Sequence, residues 1–82
     1  MPTVLRVPGY RVAIFPHDHR PAHVHVASPQ GSCVLKLNCP DGPLELRELY
    51  ELAEQQVMRL ARVLEPEIKR LCMAWWRIHG FH

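Results

Sequence analysis

Residues 23–38 read HVHVASPQGSCVLKLN. Two runs in which β-branched and apolar residues alternate with polar ones flank PQGS, a turn signal, so the stretch reads as a β-hairpin. Upstream, TVLR and YRVAIF flank VPG in the same way and read as another hairpin. Downstream, CPDGP (39–43) has strong turn chemistry. Beyond it the period changes. Leu46, Leu49, Ala53, Val57, Leu60 and Leu64 recur at spacings of three and four, and Ile68, Leu71, Cys72, Trp75 and Ile78 continue the rhythm. Pro66 lies between the two runs and either kinks one long helix or opens a second. Gly80 is a natural stop. The expected fold is α+β: a four-stranded antiparallel sheet of two β-hairpins, followed by one kinked or two consecutive helices packed on one face. Residues 1–82 form a single domain, with a sheet half at 1–39 and a helical half at 44–80.

Strand parity sorts the side chains. Leu5 with Val7, Val12 with Ile14, Val24 with Val26, and Cys33 with Leu35 and Leu37 form one set, expected under the helices. The opposite set holds Arg6, Arg11 with Ala13 and Phe15, His23 and His25, and Val34 with Lys36. Two arginines, two histidines and a lysine thus share the uncovered face.

Length and composition narrow the classes. At 82 residues the chain buries roughly 60–65% of its unfolded surface, so its core is thin and a staple or partner is plausible. It is 48% apolar and 22% charged, ordinary for a soluble domain. No apolar run is long enough for a membrane span and no signal-peptide pattern appears, which points to the cytoplasm. Cys33, Cys39 and Cys72 are odd in number and lack CxxC spacing. They argue against a disulfide framework and a zinc knuckle, and Cys33 and Cys72 read as buried thiols. The net charge of +2 hides a basic excess in the first half: Arg6, Arg11, Arg20 and Lys36 face only Asp18 and Asp41. Histidine protonation enlarges that excess, which favours an anionic partner.

Four of the six histidines fall between residues 17 and 25. His23 and His25, two apart on a strand, present two imidazoles on one face. With His19 and Asp18 they could hold zinc or another divalent transition metal. The alternative needs no cofactor: a basic, histidine-bearing sheet acting on RNA. There His19, His23 and His25 serve as general acid and base, Arg6, Arg11 and Lys36 clamp phosphate, and Phe15 stacks on a base. A third possibility is a non-catalytic protein-interaction domain. His17 and His82 read as bystanders.

Trp75 continues the apolar stripe and belongs in the core. Trp76 lies about 100° further round the helix, at the boundary beside His79, and reads as an interface residue. With two open sheet edges, this predicts a homodimer in isolation, or a complex with a neighbouring protein.

The opening MPTVLR with GYRVAIF, then DHRPAHVHV, a later AW and a final IHG resemble a small bacterial family, the domain of unknown function 4160. The positions that match are Asp18, His19, Pro21, His23, Val24, His25, Trp75 and His79. Arg20 and Ala22 depart from its more proline-rich motif, and His17 lies outside it. The resemblance implies a presumptive toxin of a type II toxin–antitoxin pair, encoded beside an antitoxin-like neighbour. The preferred expectation is therefore a toxin-like component acting on RNA, a metal-independent endoribonuclease if it is an enzyme.

Overall fold

The computed structural model describes residues 3–80. Every run before Pro40 that alternates becomes a strand: β1 (Thr3–Val7), β2 (Tyr10–Ala13), β3 (His23–Ala27) and β4 (Ser32–Lys36). The turn between β1 and β2 closes at Gly9, whose φ of 84° lies in the left-handed region that glycine enters without strain. The turn between β3 and β4 is tied by Ser28, whose N–H donates to the Gly31 carbonyl at 2.9 Å. Gly31 is obligatory there, because a Cβ would run into the Tyr50 and Glu51 backbone.

The sheet has five strands, not four. Residues Glu45–Tyr50 form β5, which pairs antiparallel with β4 and completes a simple meander in the order β1-β2-β3-β4-β5. Leu46 and Leu49 were expected on a helix, and their spacing has a different cause. Val34 lies opposite Glu48 while Leu35 lies opposite Leu46, so Arg47 is an extra residue in the ladder. The bulge shifts parity, and two leucines three apart come to share one face, opposite Leu35 and Cys33. A linear pattern cannot tell this from a helical period.

The helical half begins at Glu54. It consists of α1 (Glu54–Leu64), a 3-10 turn (Glu65–Glu67) and α2 (Ile68–His79). This is neither one kinked helix nor two that abut directly. Pro66 has no N–H to continue the ladder, so the chain tightens for one turn before α2 opens. The start of α1 is capped by Gln56, whose Oε1 accepts the Ala53 N–H at 2.8 Å. Gly80, with φ of 84°, ends α2 and donates its N–H to the Trp76 carbonyl at 2.7 Å.

Both helices bury their apolar stripes on the expected face of the sheet. Val12, Ile14, Val24, Val26, Cys33, Leu35 and Leu37 meet Val57, Leu60, Leu64, Ile68, Leu71, Cys72 and Trp75 in one core. Leu5 and Val7 pack at its margin. Cys39 and Cys72 are joined by a disulfide, which overturns the expectation of free thiols. The two are 33 residues apart in sequence, and only the return of α2 to the loop after β4 brings them together. Cys33 is the buried free thiol. Among the described residues no helix is long and apolar enough to cross a membrane.

Candidate functional site

The register confirms the sharing of a face. Arg6 lies opposite Arg11, Ala13 opposite His25, and His23 opposite Lys36. The alternation of HVHV sends Val24 and Val26 into the core and both imidazoles to the other side. What parity did not disclose is that the loop between β2 and β3 folds back over this face. Its Asp18 N–H donates to the Phe15 carbonyl at 3.0 Å, and the Phe15 N–H donates to Asp18 Oδ2 at 2.9 Å. This reciprocal turn aims Oδ1 at the histidines, 3.0 Å from His25 Nε2 and 3.6 Å from His23 Nε2.

The ligand atoms of Asp18, His23 and His25 all lie within 4.8 Å of one another. Two donors about 2.1 Å from one ion can be separated by at most about 4.2 Å. Both histidine–aspartate pairs meet that limit. The remaining pair lies within 4.8 Å, so it need close by at most about 0.6 Å to share one ion.

The tautomer of His23 is set by its backbone neighbour. Its Nδ1 lies 2.8 Å from the Pro21 carbonyl oxygen, which can only accept, so Nδ1 carries the proton. In the neutral ring Nε2 then turns its lone pair toward a carboxylate. The Asp18 carboxyl is itself tuned in opposing directions. Burial raises it, but the Phe15 N–H, the His25 hydrogen bond and the charges of His25 and His23 outweigh burial and leave it below its ordinary value.

A wall of rings braces the cluster. His79 stacks on Trp75 at 4.0 Å, Trp75 lies 5.2 Å from His23, and His23 meets His25 at 5.1 Å. Phe15 turns an edge to His25 at 4.9 Å, and His79 Nε2 donates to the Phe15 carbonyl at 3.1 Å. Phe15, expected as a stacking surface for a base, meets His25 by this edge contact and remains 41% exposed. Among the described residues the buried indole N–H of Trp75 has no hydrogen-bond partner.

Other expected site residues disperse. The histidine cavity, about 280 Å³, is rimmed by His17 and His19, which stand outside the ligand cluster, and by Arg20, Arg47 and Glu48. Arg6 and Arg11 line a separate cavity of about 510 Å³ with Tyr10. Lys36 stands beside His23 but opens on a third groove with Arg20 and Trp76. His82 lies outside the described residues. Arg47 and Glu48 were missed because their strand was read as helix.

A compact α+β domain with a two-histidine, one-carboxylate cluster is the class that fold and site define. The family described as domain of unknown function (DUF4160) matches residues 9–79, and the chain belongs to it. No curated protein and no solved structure matches the chain.

Proposed function

We propose that Asp18, His23 and His25 hold one divalent transition metal, and that the protein uses this centre on RNA as the toxin-like member of a two-gene pair. The observation that carries the metal is the convergence of three ligand atoms around a His23 whose Nδ1 proton is fixed by Pro21. A histidine that gives one nitrogen to a backbone carbonyl and offers the other is in the state a ligand requires. Two imidazoles and a carboxylate suit zinc, iron, nickel or copper, and leave positions open for substrate. A bound ion there would polarise a phosphate and lower the pKa of a coordinated water. RNA as substrate is supported by the basic residues that share the face. His19, expected as a ligand, is left at the rim.

One observation favours a metal-independent endoribonuclease as the second reading. The 3.0 Å contact between Asp18 and His25 would orient that ring as a general base. Calorimetric titration of untagged protein with zinc separates the two. One ion should bind per chain. His23→Ala and Asp18→Asn should each weaken binding at least about 100-fold, more than loss of an outer partner costs. RNA cleavage should stop in chelator. Cleavage that persists in chelator, with no zinc uptake, would transfer the site to the metal-independent reading.

A further inference from the structure

Beside the histidine cavity, on the far side of the segment from Arg20 to Ala22, runs a groove of about 640 Å³. Arg20, Lys36, Asn38 and the half-buried Trp76 contribute to its lining. Among the described residues neither Arg20 nor Lys36 has a carboxylate within ion-pair distance, whereas Lys69 and Arg70 each do. Glu45, opposite Lys36 in register, accepts instead from Asn38 Nδ2 at 3.4 Å. That same nitrogen donates to the Pro43 carbonyl at 2.8 Å, so the amide is oriented with its oxygen left as an acceptor.

The groove therefore combines two cations that lack an acidic partner among the described residues, a flat indole and a fixed amide. An apolar peptide has no use for the cations, and a free phosphate has none for the indole. A nucleotide unit uses all three: phosphate on Arg20 and Lys36, base on Trp76, base edge on Asn38. The groove also adjoins the histidines. Lys36 is the cross-strand partner of His23, and Arg20 lines both cavities. A strand seated in the groove would carry its next sugar and phosphate to the Asp18–His23–His25 cluster.

We infer that this groove is the base-binding subsite for a single-stranded polynucleotide, and that the chain enters the histidine site past Arg20. The inference deepens the RNA reading above and rests on it, but not on the metal. It also replaces Phe15 by Trp76 as the stacking surface, and Arg6 with Arg11 by Arg20 with Lys36 as the nearer clamp.

The test is binding of fluorescent RNA and DNA ten-mers of one sequence, measured in chelator so that the metal centre plays no part. Trp76→Leu should weaken binding roughly 5- to 150-fold, the range lost with one base–aromatic stack. Arg20→Gln and Lys36→Gln should each lower the salt dependence by about 0.7 in log–log slope, the share of one phosphate contact on a single strand. In a Trp75→Phe background Trp76 is the sole tryptophan, and its emission should quench on binding. Equal affinity for both ten-mers supports a groove that reads base and phosphate, and preference for RNA supports one that also reads the 2′-hydroxyl. Zinc titration of the folded Trp76→Leu protein should match wild type, which separates loss of this subsite from loss of the metal centre. Ten-mers that bind all three variants as tightly as wild type, with no quenching, overturn the inference. Failure of wild type to bind either ten-mer does the same.

Discussion

The Asp18 carboxylate takes the Phe15 N–H on one oxygen and the His25 ring on the other, and its side chain is only 14% exposed. Such a group has a simple consequence for the metal-free protein. Its folded pKa lies below the ordinary carboxyl value, so the unfolded chain binds the proton more readily. The stability it supplies is then fully present above the unfolded value of about 3.9 and is lost as pH falls through the lowered folded value. Asp18→Asn should therefore destabilise the metal-free protein at neutral pH and flatten the acid limb of its stability curve. Urea unfolding between pH 2 and 7 measures this. Parallel curves for variant and wild type would show that the carboxylate does not favour the folded state.

At the scale of the element, α2 does two jobs with neighbouring residues. Trp75 is fully buried and supports the ring of His23, while Met73, two residues earlier, is 60% exposed. Trp75→Ala should cost about 3–5 kcal/mol by opening a cavity in a thin core. Met73→Ala should stay within about 0.5 kcal/mol, as surface substitutions do. Denaturant midpoints at constant m-value check both. Equal costs would mean that the phase of α2 is wrong. The same element carries His79, whose ring stacks on Trp75 and whose hydrogen bond to Phe15 closes the wall around the site. The matching AW and IHG positions are thus supports for the histidines, not members of the cluster.

For the whole molecule, the disulfide is the staple that a short chain invites. The Cys39–Cys72 bridge closes a loop spanning 33 residues that includes β5 and α1. In the chain-entropy account such a closure stabilises by about 3–4 kcal/mol. Reduction should accordingly lower the melting temperature markedly, whereas alkylation should find no thiol in the native oxidised protein. Cys33 escapes because burial holds its thiol up at about 11, so almost no thiolate exists at neutral pH. After unfolding without reductant, one alkyl group should be taken up per chain. Two or three groups on the unfolded oxidised chain would refute the bridge. A cytoplasmic home would keep these cysteines reduced, so the location proposed from sequence implies a dithiol in the cell.

Local pattern was enough for a good part of this protein. Alternation in TVLRV, YRVA, HVHVA and SCVLK determines four strands and their inward and outward sets, because side chains on a strand can only alternate. The helical stripe through Val57, Leu60, Leu64, Leu71 and Trp75 determines the covering layer, and Gly80 its end. The pairing of His23 with His25 follows from the same parity. Three features did not follow, and each depends on contacts distant in sequence. The β5 bulge disguises a strand as a helical period, and only the ladder with β4 exposes the extra Arg47. The disulfide joins cysteines that share no local motif, brought together when α2 packs back beside the loop after β4. The aim of Asp18 comes from the folded-back loop before β3, so a carboxylate seven residues from His25 in sequence meets it at hydrogen-bond distance. Periodicity records which face a residue occupies, while the partners it meets there are settled by chain segments that periodicity does not connect.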